Sequence, residues 1–174
     1  MALRSMLASD WALEVDTAAS GATAPQWTPV RGLSNFSEST DDNTEDDSTN
    51  DAPGWGADVI TQRKWKIEAE GKRKRDTSAS TYTPDPGQEF IRKAARKVGF
   101  SADVHVRWYR RDGSPDASEG YAQVSEFTKG GETTDLEPFN FTLLGQGEPL
   151  EIANPVTAPP AGGAAAAATT SGGK

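Results

Sequence analysis

Apolar positions in this chain fall into short alternating runs separated by turn residues. In 11–17, Trp11, Leu13 and Val15 alternate with Glu14 and Asp16, the pattern of a half-buried strand. In 27–36, Trp27, Val30, Leu33 and Phe36 are irregularly spaced, and Pro29 and Gly32 reduce the segment to an edge or bulged strand. Residues 59–74 predict a long strand with Trp65, Ile67 and Ala69 on one face and Lys64, Lys66, Glu68 and Glu70 on the other. Residues 102–111 and 119–128 alternate again around an Asp112-Gly113-Ser114-Pro115-Asp116 turn and predict a β-hairpin. Two further strands are expected at 136–144 and 149–153.

One segment changes period. Over 85–98, Phe90, Ile91, Ala94, Ala95 and Val98 recur at helical spacing, with Arg92, Lys93, Arg96 and Lys97 on the other face. Asp85 is placed to cap this helix, Pro86 to occupy its first position, Gln88 to complete a capping box, and Gly99 to end it. The expected class is mainly β (α+β): an antiparallel β-sandwich or barrel-forming subunit with one flanking amphipathic helix. Its parts are an N-terminal arm at 1–10, a β domain at 11–155, and a low-complexity Pro/Ala/Gly/Thr tail at 156–174 with too little apolar surface to fold.

Between the second and third predicted strands, 38–58 reads as a long acidic loop. It contains Glu38, Asp41, Asp42, Glu45, Asp46, Asp47, Asp51 and Asp58 and no lysine or arginine. A structureless loop of this length is uncommon in a compact domain and is usually functional or disordered. Trp55, between Gly54 and Gly56, is an aromatic anchor suited to docking on a neighbour. Core packing is expected to take three or four of the five tryptophans.

Charge is laid out in blocks. Residues 1–62 carry eleven acids and two bases, 63–111 fourteen bases and six acids, and 112–174 nine acids and two bases; the net charge is −8. Such blocking lets the basic surface of one copy meet the acidic surface of another, or arises from clustering on solvated faces. With no cysteine the chain lacks the residues for disulfides and thiolate metal sites, and a single histidine, His105, takes most of the plausibility from multi-histidine metal sites and a Ser-His-Asp triad. No EF-hand spacing or phosphate loop is present. A calcium site on Asp41, Asp42, Asn43, Glu45, Asp46 and Asp47 is the weaker alternative to a solvated or partner-binding acidic segment. Lys72, Arg73, Lys74 and Arg75 form a run of four bases, read as a soluble hairpin tip or a contact between copies rather than a nucleic-acid patch, because the whole chain is acidic. No enzyme chemistry and no cofactor are predicted, and no apolar run approaches the ~20 residues of a membrane-spanning helix.

Taken in order, these segments resemble the major tail, or tail-tube, proteins of actinobacterial long-tailed (siphovirus-type) phages. The resemblance rests on WALEVDT at 11–17, W-x-P-V-x-G-L-S-x-F at 27–36, and PGWGAD at 53–58. It continues through RKWKIEAEGKRKR at 63–75, DPGQEFIRKAARKVG at 85–99, VRWYRRDG at 106–113, EGYAQV at 119–124 and FTLLGQGEPLEIANP at 141–155. It implies a non-enzymatic virion protein assembled in the host cytoplasm. Six subunits would form a ring with one continuous inner barrel, and rings would stack into a hollow tube around a tape-measure protein. Tail-terminator and distal tail proteins would be further partners, and genomic DNA would pass through the lumen without specific binding. A long loop and the terminal arms would join one ring to the next. The expected contacts between subunits are therefore Asp41, Asp42, Glu45, Asp46, Asp47 and Trp55 on one side and Lys72, Arg73, Lys74, Arg75, Arg92, Lys93, Arg96 and Lys97 on the other. A single-ring tail-terminator or head–tail joining protein is the alternative, followed by a carbohydrate-binding β-sandwich module.

Overall fold

Strands β1 (Trp11–Asp16) and β2 (Trp27–Pro29) pair antiparallel, and β1 pairs on its other edge with β7 (Asp103–Arg110). The computed structural model describes residues 5–19, 22–48, 55–78 and 80–157. The other long strands are β3 (Leu33–Asp46), β4 (Asp58–Gly71), β8 (Ala117–Thr128) and β9 (Asn140–Glu151). All seven form one antiparallel sheet in the order β2-β1-β7-β8-β9-β4-β3. A short second ladder joins β5 (Arg75–Asp76) to β6 (Thr83–Pro84).

The order forces the sheet to curl. Strands β2 and β3 are its two edges, yet only Val30, Arg31 and Gly32 separate them in the chain. That connection spans at most about 14 Å, so the edges face each other and the sheet wraps around its own core. Trp65 on β4 and Trp108 on β7 meet inside the curl at 5.0 Å, although β8 and β9 lie between their strands. Trp11 on β1 stacks on Phe36 of β3 at 5.1 Å across the seam. Leu13, Val15, Ile67, Val104, Val106, Phe139, Phe141 and Leu143 complete the buried cluster. The alternation expected in β1, β4 and β7 is what places these side chains inside.

The helix α1 (Pro86–Ala94) closes the seam. Asp85 caps it by accepting from the Gln88 backbone amide at 3.1 Å. Gln88 does not complete the capping box. Its amide group donates to Arg31 O (2.6 Å) and Lys72 O (3.0 Å) and accepts from Lys74 N (3.0 Å), tying both sides of the seam together. Gly32 turns the chain there with φ of 79°, and a Cβ on it would lie 2.5 Å from Lys72 O; only glycine fits that position. Ile91 and Ala94 face the core, and α1 packs against β1, β2 and β8.

Four sequence expectations change. The acidic segment is not a structureless loop from residue 38: Glu38 to Asp46 belong to β3 and pair antiparallel with β4, with one register shift between Asn43 and Thr44. Its cross-strand partners explain the pairing, since Asp41 faces Lys64 and Asp42 faces Arg63. Second, 27–36 is two strands on opposite edges rather than one bulged strand, broken at Gly32. Third, the helix ends at Ala94, and Val98 is extended and exposed. Finally, 136–144 and 149–153 are not two strands. Residues 140–151 form the single strand β9, and a register shift between Glu119 and Tyr121 of β8 accommodates Pro149. The N-terminal arm is described from residue 5. The low-complexity tail beyond residue 157, and Asp51 with its neighbours at 49–54, lie outside the described residues.

Candidate assembly surface

The β3–β4 hairpin is longer than the sheet that supports it. On its inner edge β4 pairs with β9 only over Lys66–Ala69. The part of β4 before that stretch pairs only with β3, so the far half of the hairpin is a two-stranded arm. All side chains of 40–46 and 58–64 are exposed. Few contacts hold it besides its own ladder: Arg63–Asp42 at 3.6 Å, Asn43 Nδ2 donating to Gln62 Oε1 at 3.2 Å, and Thr61 Oγ1 donating to Asn43 O at 3.2 Å.

Toward the tip the neutralising bases stop. Glu45 faces Val59 and Asp46 faces Asp58. Among the described residues, Glu45, Asp46, Asp47 and Asp58 have no basic partner. Asp46 accepts from Ser48 N at 2.8 Å, and hydrogen bonds from the Ser48 hydroxyl and amide hold its carboxyl below the usual carboxylate range. The tip turn is fixed by Asp47 N donating to Ala57 O (2.8 Å) and Ala57 N to Ser48 Oγ (3.1 Å). Trp55 stands beside it, 83% exposed.

At the other end of the same hairpin the chain runs into bases. Lys72 bridges to Pro138 and its ammonium reaches Leu136 O at 3.5 Å. Arg73 pairs with Glu137 at 3.3 Å and lies 4.0 Å from Glu89. Lys74 is exposed, and Arg75 lies in the β5–β6 ladder. Glu89 of α1 also binds Arg92, through Nε at 2.7 Å and a second guanidinium contact, and has Lys93 at 4.0 Å. The Arg92 hydrogen bond, against burial and with the charges of Arg92, Lys93 and Arg73, holds the Glu89 carboxyl low. Glu89 is thus the hub that gathers three of the predicted bases. Its position four residues past the N-cap, with Arg92 and Lys93 at i+3 and i+4, is the signal for it in the sequence. Arg96 and Lys97 follow the helix, exposed.

The structure therefore brings the predicted bases toward one end and the predicted acids to the other. Residues 58 to 71 of one strand lie between them, roughly 40 Å at ~3.3 Å per residue, so the two groups do not meet within one copy. The candidate calcium ligands Asp41, Asp42, Asn43, Glu45 and Asp46 lie along an extended strand, where successive side chains point to opposite faces rather than converge.

The remaining singled-out side chains are structural. Trp65 and Trp108 are buried, Trp11 and Trp27 half-buried. His105 stacks on Tyr121 (4.6 Å) and lies tilted against Trp27 (4.8 Å), with Asp16 at 3.6 Å. Beside it Arg107 pairs with Glu14 (Nε, 2.6 Å) and lies 4.5 Å over the Trp27 ring. This face of β2, β1, β7 and β8, opposite the core, is a closed network in which every one of these charges has a partner.

No family model and no curated protein matches the sequence. Solved structures match the fold. A chain of the virion of a native gene transfer agent particle superposes with a TM-score of 0.61 at 14% identity, covering 83% of this chain and 97% of that one. A chain from the tail of an empty gene transfer agent particle, computed with helical refinement and C6 symmetry, gives 0.61 at 17% identity, over 86% of this chain and 100% of that one. The SPP1 tail tube, a hybrid of solid-state NMR and cryo-EM, gives 0.61 at 10% identity, over 82% and 77%. The chain shares the fold of these chains, and is itself a predominantly antiparallel β-structure with one flanking helix.

Proposed function

We propose that this protein is the structural subunit of a phage-type tail tube, with no catalytic role, self-assembling into stacked rings. One observation carries the reading: in a chain of this fold, a single hairpin bears unpaired carboxylates at its tip and a basic cluster beyond its base. Over roughly 40 Å, several Debye lengths at physiological salt, these groups cannot neutralise each other within one copy. They can when the tip of one subunit reaches the basic end of the next. A two-stranded ribbon is marginal in water on its own, so an exposed arm of this kind also gains from being covered by a neighbour. A contact between different surfaces of two identical chains repeats along an axis, while a second contact that closes by rotation makes the ring.

The outer edge of β3 along the arm, unpaired and clear of the seam, suits ring closure, because continuing the sheet from subunit to subunit covers it. Six subunits per ring is our reading, supported by the C6 symmetry of the neighbour tail. The proposed setting is the tail of an actinobacterial siphovirus-type virion, assembled in the host cytoplasm. Its partners there are a tape-measure protein and the tail-terminator and distal tail proteins. The net charge of −8 favours a lumen that repels DNA phosphates and lets the duplex slide.

Reversing both tip charges, Asp46→Lys with Asp47→Lys, tests the contact. Both side chains are exposed, so the circular dichroism spectrum and melting temperature are expected to stay unchanged. Tubes seen by electron microscopy should be much shorter or absent. Tubes of normal length from the folded double variant would contradict the proposal. Isolated rings that never stack, from the unmodified protein, would move the reading to a joining or terminator ring.

A further inference from the structure

Two apolar patches on the surface are framed by charges of opposite sign. The first follows α1. A longer helix would have carried the stripe of Phe90, Ile91, Ala94 and Ala95 on to Val98. Instead Val98 is extended (φ −132°, ψ 156°) and leads into the 3-10 turn Gly99–Ala102. Val98 is 84% and Phe100 94% exposed. The turn that presents them is braced rather than frayed. Ser101 Oγ donates to Val98 O at 2.9 Å, and Gln123 Nε2 donates to Gly99 O at 3.4 Å and to Asp103 Oδ1 at 2.6 Å. Just before it, Arg96 and Lys97 have no acidic partner among the described residues.

The second patch is on the arm. Val59 is 48% and Ile60 43% exposed, with Trp55 beside the tip. Val59 has Glu45 directly opposite, and Ile60 has Thr44 opposite with Asp46 on the diagonal. Val59 and Ile60 therefore lie on opposite faces of the ribbon, each beside an unneutralised carboxylate. Each exposed apolar side chain of the turn at 98–100 follows unneutralised bases. Rigid, exposed aromatic and aliphatic groups ringed by charge are the composition of an interface anchor, and opposite signs fix which patch meets which.

We propose that the turn at 98–100 is the docking knob for the arm of a second copy of this chain. Val98 and Phe100 pack against Val59, on the Glu45 face of the arm, and Trp55 at its tip, while Arg96 and Lys97 meet Glu45 and Asp47. This rests on the tail-tube reading for its setting and assigns the apolar half of the contact, which charge alone does not specify. It also accounts for the early end of the helix: continuing it through Val98 would turn the knob inward.

The chain has no cysteine, so an introduced thiol is unique. Phe100→Cys, carrying an affinity tag, is mixed with Trp55→Cys, Val59→Cys or Ile60→Cys under mild oxidation and run on a non-reducing gel. The same mixtures are imaged by electron microscopy. A mixed disulfide dimer at least about tenfold above the yield of either variant alone is expected for Val59→Cys or Trp55→Cys, and not for Ile60→Cys on the opposite face of the arm. In parallel, Phe100→Ser is expected to raise the protein concentration needed for assembly about tenfold, the loss from exposing rather than burying one large side chain. Tubes without any mixed dimer would overturn this inference and leave the tail-tube reading standing. Mixed dimers without tubes would keep the contact and overturn the tube. Neither dimers nor tubes would overturn both.

Discussion

At the scale of single residues, two contacts decide how the inside of the curl is packed and how its open corner is clamped. Trp65 is buried and its Nε1 donates to Gly147 O at 2.7 Å, so the indole lies flat over the β9 backbone. A Cβ on Gly145 would fall 2.2 Å from the Trp65 ring. Gly145→Ala should therefore cost about 1–3 kcal/mol through overpacking, read as a lower urea midpoint; an unchanged midpoint would show that the ring can move aside. At the corner, buried Arg110 pairs with Asp112 (2.8 Å) and Asp10 (3.5 Å) and donates to Leu7 O (3.3 Å). Asn154 donates to Arg110 O (2.7 Å) and Ser114 O (2.6 Å), so segments before β1 and after β9 are tied to the same turn. The Arg110 hydrogen bond, then the Ser114 amide, lower the Asp112 carboxyl to about 2. A folded value below the unfolded one of ~3.9 stabilises the fold fully above that pH and is lost as pH falls toward 2. The unmodified protein should thus lose melting temperature between pH 4 and pH 2 more steeply than Asp112→Asn, which starts lower at pH 7. Parallel curves would remove Asp112 from the clamp.

At the scale of elements, legibility followed burial. The alternation of β1, β4 and β7 and the Asp85–Pro86 start of the helix were readable because each has one face in the core or one fixed cap. The arm was not, because a ribbon exposed on both faces carries no hydrophobic period. Its only signals are charge pairs between Asp41 and Lys64 and between Asp42 and Arg63, more than twenty residues apart in sequence. The end of the helix was misplaced for a related reason: Val98 continues the apolar stripe in sequence but is held outside by the turn at Gly99–Ala102. Both fall on surfaces proposed for assembly, where local rules would yield to a partner. The arm should accordingly be dispensable for folding. Replacing residues 43–62 with an Asn-Gly turn joins Asp42 to Arg63, which already face each other. The shortened chain is expected to melt within a few degrees of the full one yet form no tubes. A collapse of the fold, or tubes of normal length, would show that the arm serves another purpose.

At the scale of the whole molecule, the acid–base–acid layout of the sequence becomes a direction. The bases are legible as a run at Lys72 to Arg75 and a helix face at Arg92 to Lys97, but their gathering around Glu89 needs the fold. Their separation from the acidic tip, with the length of β4 between, is visible only once β3 and β4 are paired. A curled core, an unpaired β3 edge along the arm and oppositely charged ends support the proposal that copies meet sideways and end to end. Negative-stain electron microscopy of the purified protein at rising concentration tests that claim most directly. The account predicts hollow tubes with a regular axial repeat, lengthening with concentration; particles that stay monomeric at every concentration would contradict it.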